Sequence, residues 1–313
     1  MNDTLENQSL YLLIYQNQTL LILNSASILL NWIAFGFNLL IIVVILNNIS
    51  AIWNRFYFFV LFQCACEALG CCQVGIFQIL RLWAINREET DQMILPGLSC
   101  LGLVGLSYVS EVAFSNMLLM FALEQFRMQF SPMSYNLMAM KSAYWFAVLN
   151  ACLPALFIVL PLIIDQSKDS TSILCLSYYS AVFEFQAKTI LVYTFCVNSL
   201  AIMVNVCSIL YNKKKLFTPR VNPLARSPVQ ASLSKEAFVE YMKTLVWIET
   251  FIGMPYSILR LITLLCELKD SSFMHILGVA LAADGLHRMV APLLLLIKNK
   301  HVRAYTIAMF KKN

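Results

Sequence analysis

The chain has 313 residues, of which 60% are hydrophobic and 12% charged, with a formal net charge of +5. A soluble globular domain carries about 25% charged residues, so this composition excludes that class and points to an integral membrane protein. The basic excess is laid out as a membrane topology signal rather than as a nucleic-acid surface, as the distribution below shows.

Residues 1–24 form a tail that carries Asp3 and Glu6 and neither Lys nor Arg. Its first six residues lack the positive n-region of a cleavable signal peptide, so the first span is expected to be its own anchor. Three sequons, Asn2-Asp3-Thr4, Asn7-Gln8-Ser9 and Asn17-Gln18-Thr19, lie in this tail and make Asn2, Asn7 and Asn17 the expected glycosylation sites. Asn48-Ile49-Ser50 matches the same pattern but falls on the opposite side of the membrane and reads as chance.

An apolar run needs about 20 residues to cross a hydrocarbon core of about 30 Å. Seven runs of that kind are expected, at residues 25–46, 56–80, 98–123, 142–164, 190–210, 244–265 and 273–297. The joining segments are too short for a soluble domain. The fold expected is therefore an all-α membrane protein, a seven-transmembrane helix bundle over residues 25–297. With the N-terminus outside, fourteen Lys and Arg fall on the cytoplasmic side, namely Arg55, Arg127, Lys141, six from Lys213 to Lys235 and five from Lys298 on. Four fall outside, Arg81, Arg87, Lys168 and Lys269, and that imbalance sets the orientation.

Ionisable groups inside a bilayer cost several kcal/mol unless paired or hydrated, so they are candidate functional residues. Glu67 lies near the middle of the second run, Glu111 lies in the third, and Asp284, His287 and Arg288 lie in the seventh. Asp284 and Arg288 are four apart and share a helix face. Cys64, Cys66, Cys71, Cys72, Cys152, Cys196 and Cys207 fall in spans and are expected to pack as small apolar residues; Cys266 is expected to be free. Cys100 and Cys175 both face the oxidising side, which permits a disulfide between them. With three histidines, and no His-Glu-x-x-His motif, neither a metal site nor a cofactor is expected.

The last run carries Pro292 and stops at Lys298-Asn299-Lys300-His301-Val302-Arg303. Residues 298–313 are expected to form a short amphipathic surface helix and tail. Val302, Tyr305 and Met309 would face lipid, and Lys298, Lys300, Arg303, Lys311 and Lys312 would face anionic headgroups.

Several spacings belong together. Pro292 and the Lys-Asn-Lys-x-Val-Arg run hold one register, and Cys100, Glu124 and Pro132 hold another, at intervals of 24 and eight residues. Pro132-Met133-Ser134-Tyr135, Gly36-Phe37-Asn38, Glu67, Trp145 and Pro255-Tyr256 fall at compatible places. In these features the chain resembles the rhodopsin-like G-protein-coupled receptors, and in overall look it is similar to the nematode-type serpentine chemosensory receptors. It departs from the family at Ala291 and Leu295, which flank Pro292 where Asn and Tyr are usual. Further departures are Gln125, in place of the arginine of Asp-Arg-Tyr, and Gly253-Met254, in place of Trp-x.

The resemblance implies a ligand site in the outer half of the bundle, with Ser107, Tyr108, Glu111 and Arg260 as candidates. Ser107 stands where amine receptors carry aspartate, so an amine held in that manner is not expected. Gly285 stands where light-sensing members carry lysine, which argues against an opsin. By the same register Arg288 points toward Glu67, giving an expected Glu67–Arg288–Asp284 cluster that is either a structural ion pair fixing helix packing or, with Pro292, an internal switch. The family's sodium-linked acid lies in this region, and Arg288 would stand in for the cation. Glu124, Gln125, Phe126, Pro132, Lys213, Lys214 and Lys215 are implied to face a G protein. The function implied is chemosensory: a small odorant or pheromone-like molecule binds, and a heterotrimeric G protein is activated. The location implied is the cell membrane, with a sensory cilium one setting. A ligand-gated channel or small transporter is the alternative, weakened by the lack of an internal repeat. No enzyme activity and no nucleic-acid partner are expected.

Overall fold

A computed structural model describes residues 18–52, 54–86, 97–130, 140–166, 181–216, 229–265 and 271–311. Among these the chain is almost entirely helical, with no strand. In hydrocarbon every backbone N–H and C=O must be satisfied within its own segment, which favours helices in long apolar runs. The helices are α1 (Gln18–Asn47), α2 (Ile49–Ile52), α3 (Arg55–Asn86), α4 (Gly97–Phe130), α5 (Met140–Gln166), α6 (Ala181–Leu216), α7 (Val229–Ile248), α8 (Met254–Leu265), α9 (Ser271–Lys298) and α10 (Lys300–Lys311). A wide π turn, Glu249–Gly253, joins α7 to α8 without a break.

Two boundaries differ from expectation. α6 runs on to Leu216, so Lys213, Lys214 and Lys215 lie on its last turn, and α7 begins well before residue 244. Among the described residues, three stretches are long and apolar enough to cross a membrane: Leu21–Asn47, Arg55–Ile76 and Lys188–Tyr211.

α4 lies against α3, α5, α6 and α7, while α1 packs between α3 and α9. Among the described residues the core centres on Phe59, Met117, Phe121, Met242, Leu245 and Leu295. Its aromatic rings meet edge to face, with Phe59–Phe121 and Phe121–Tyr241 centroids each 5.9 Å apart. Outward-facing positions are apolar too, among them Leu29, Trp145, Phe157, Met203, Trp247 and Phe251. Such an exterior fits lipid rather than water.

The span cysteines divide. Cys64 and Cys71 are buried and Cys66 and Cys72 half-buried, as packing residues would be. Cys152, Cys196 and Cys207 are exposed instead, because their places on α5 and α6 turn away from neighbouring helices.

α10 starts where its cap requires. The Asn299 side-chain oxygen accepts from the backbone N–H groups of His301 and Val302, both at 3.1 Å, closing the first turn. Its amide also lies 3.4 Å from the Tyr57 hydroxyl, tying the cap to α3. The expected lipid-facing stripe of α10 is corrected here. Val302 is fully buried, and Tyr305 and Met309 pack against the bundle core. Their spacing gives one apolar face, and that face meets the end of the bundle. Ile307 and Phe310 are the exposed large apolar residues of this helix.

Candidate functional site

α9 carries the densest polar chemistry. Its turn Asp284–Arg288 points inward among apolar residues, and all of Asp284, His287 and Arg288 are buried. Arg288 Nε donates to both carboxylate oxygens of Asp284 at 3.0 Å, one turn back on the same helix. Arg288 Nη1 donates to Glu67 Oε2 on α3 at 3.2 Å, bridging residues 221 apart in sequence. Gly70, one turn from Glu67, makes the room: a methyl there would collide with the guanidinium and approach the Ser110 hydroxyl. Glu67, Arg288 and Asp284 are thus brought together, with Pro292 lining the same small void of about 10 Å³ as Glu67, His287 and Arg288. That space holds about one water. A guanidinium between two carboxylates satisfies charges that would otherwise be stranded in a low-dielectric interior.

A second pair adjoins the first. His287 Nε2 lies 2.6 Å from Glu249 Oε1, joining α9 to the π turn. Glu249 is 1% exposed and its other oxygen, Oε2, has no hydrogen-bond partner. The His287 ring stands edge-on to Phe114 at 5.3 Å. The π turn has a local cause. Pro255 lacks an N–H and its ring crowds the carbonyl four residues back. The Met254 N–H bonds instead to the Glu249 carbonyl, five residues back. Gly253 faces this pair, and a Cβ there would strike Glu249 Oε2 and sit 3.4 Å from His287 Nε2. Glycine at position 253 therefore leaves the volume that Glu249 and His287 occupy.

The end of α4 shows another rearrangement. Glu124 is buried and pairs with Arg55 Nη2, at 2.5 Å, while Arg55 Nη1 donates to Ser142 on α5 at 2.8 Å. Arg55 also lies over the Phe59 ring, 5.6 Å from its centroid. Arg55 begins α3 and is only 8% exposed, so its charge lies inside the bundle against Glu124 rather than in a joining segment. Gln125 is fully buried, with neither amide atom bonded. Phe126 turns outward and stacks on Phe130 at 4.1 Å, which stacks on Tyr211 of α6 at 4.0 Å. Only Glu124 and Gln125 of this triplet face the interior.

Among the outer-half candidates, Tyr108 is half-buried and packs beside Val112 and Ile190, between α4 and α6, and Glu111 is half-buried one turn further along. Cys175, Pro132, Asn2, Asn7 and Asn17 lie outside the described residues, as do the side chains of Cys100, Ser107, Arg260, Lys213, Lys214 and Lys215.

Glu249 and Arg55 were missed in the sequence. Glu249 interrupts the apolar run Leu245-Val246-Trp247-Ile248, so the rule that singled out Glu67 would have found it. Arg55 offered no such signal, since it stands at a span end, where basic residues usually anchor.

Compared with known proteins, the chain matches no family model and no curated sequence.

Proposed function

We propose that the chain is a seven-span chemosensory receptor of the rhodopsin-like type, with its N-terminus outside. It binds a small odorant or pheromone-like molecule in the outer half of the bundle and activates a heterotrimeric G protein on the inner side. The observation that carries this reading is the Glu67–Arg288 contact. The receptor register puts these two residues face to face although 221 positions separate them, and composition alone gives no reason for it. Glu124 supports the reading in a different way. The family register demands a cation beside this acid; Gln125 does not supply one, and Arg55 does.

Ligand binding would shift the population between two arrangements of the bundle. The interior charges connect the helices that must move: Arg288 ties α9 to α3, and His287 ties α9 to the π turn. α10 lies under the bundle through Val302, with Lys300, Arg303 and Lys311 exposed for headgroups or a G protein.

Expression with a promiscuous G protein, followed by a calcium screen of volatile and water-soluble compounds, tests the reading. Ligand-dependent calcium release that vanishes without the G protein is expected. A ligand-gated current that persists without any G protein would assign the chain to the channel class instead.

A further inference from the structure

Polar side chains in a membrane bundle turn inward, where protein or water can serve them. α6 is built that way round. Val192, Leu200, Met203, Val206 and Leu210 are exposed, whereas its buried face carries Thr194, Asn198, Asn205 and Ser208. α4, which lies against α6, buries Gln125 and Gln129 one turn apart near its C-terminal end. Two contacts set the level of one helix against the other. The Tyr193 hydroxyl donates to Asn116 Oδ1 at 2.7 Å, and Phe130 stacks on Tyr211 at 4.0 Å. Both helices run from the first contact to the second in the same direction. Gln125 and Gln129 therefore lie level with Asn205 and Ser208 along the α4–α6 seam.

These four side chains lack partners. Both amide atoms of Gln125, Gln129 and Asn205, and the Ser208 hydroxyl, are buried without a hydrogen bond among the described residues. Other interior amides are served. Asn31 and Asn38 each donate to the carbonyl one turn back, and Asn150 donates to the Ala113 carbonyl. Among the described residues, the buried amides left unbonded at both atoms are those three, and all fall on this seam. An amide both donates and accepts, and burying one dry is expensive. The four hold no ionisable group. They suit a neutral ligand that donates and accepts at once and is small enough for a helix interface. Water meets each requirement.

We propose that Gln125, Gln129, Asn205 and Ser208 form a binding site for ordered water that bridges α4 to α6. The Phe126–Phe130–Tyr211 stack joins the same two helices at this end and closes the seam toward lipid. A bridging water is nearly as good a partner as a direct hydrogen bond, and it re-orients as the spacing of its neighbours changes. α6 is thereby held to α4 and left free to shift against it without stranding a polar group. The water site stands or falls independently of the receptor reading, because its tests need neither ligand nor G protein.

The full chain in lipid nanodiscs is given a brief X-ray pulse, which makes hydroxyl radicals from bound water as well as from bulk. Such radicals oxidise side chains beside bound water even where bulk solvent is excluded. Met128 adjoins Gln129 and is 5% exposed, while Met117, in the same core, is fully buried. Met128 should be oxidised several-fold faster than Met117, and the excess should vanish when Gln125→Leu is combined with Gln129→Leu. Equal rates in the wild-type chain, or an excess that survives in the folded double variant, overturn the proposal. Thermal unfolding gives a second measure. Gln129→Met keeps the side-chain length and removes the polar atoms, so a bridged water loses a partner and Tm falls by about 2–4 °C. In a dry seam the same change removes an unmet polar group, so a Tm at or above the wild-type value contradicts the water site. Should the variants fail to fold, the Met128 and Met117 rates in the wild-type chain decide.

Discussion

Arg288 is the residue on which most of the interior depends. It is the shared partner of Glu67 and Asp284, so removing it leaves two buried carboxylates without their cation. Arg288→Met is expected to cost about 3–5 kcal/mol, seen as lost surface expression and a lower Tm. Glu67→Arg combined with Arg288→Glu should recover part of that loss; no recovery would deny the pairing. Arg55 follows the same logic at the other acid. Arg55→Gln strands Glu124, whose Oε2 is already buried without a donor. Adding Glu124→Gln should relieve most of the loss, because a neutral amide needs no cation. These pairs differ in how legible they were. Glu67 and Arg288 stand out as charges inside apolar runs, and the resemblance to a receptor register is what set them opposite each other. Glu249 and His287 are 38 residues apart on different helices, and no local period marks such a partner.

At the scale of elements, two glycines make opposite predictions. Gly253 has the Glu249 carboxylate against its face, whereas nothing lies within 4 Å of a Cβ built on Gly36. Gly253→Ala should destabilise by about 1–3 kcal/mol as Glu249 is displaced, while Gly36→Ala should change stability by no more than about 1 kcal/mol, in the stabilising direction. Thermal unfolding of both variants checks the contrast. α10 gives a further test. Asn299→Ala removes the cap and should cost about 1 kcal/mol, speeding hydrogen exchange at His301 and Val302, whereas Asn299→Asp should keep both bonds. The sequence marked α10 as amphipathic but could not say what its apolar face would meet. Hydrophobic spacing is the same toward lipid and toward protein, and Val302 proved to belong to the core. The π turn was hidden for a similar reason. Pro255 signals a disturbed helix, but the wide turn depends on how Met254 and Glu249 pair.

For the whole molecule, helix placement followed from apolar runs, since a bilayer leaves little choice of backbone structure. Helix ends did not follow so well. α6 and α7 extend past the apolar limits into basic segment ends, where hydropathy falls but helical hydrogen bonding continues. Among the described residues, three stretches reach the length and hydropathy of a membrane span.

The receptor reading stands on the two ends of the chain lying on opposite sides of the membrane. A reporter at each end, with enzymatic deglycosylation for Asn2, Asn7 and Asn17, measures this in intact cells. An N-terminal tag accessible from outside and carrying glycan, with a C-terminal tag reached only after permeabilisation, is the predicted result. Both ends on one side would mean an even number of crossings and would contradict the seven-span receptor.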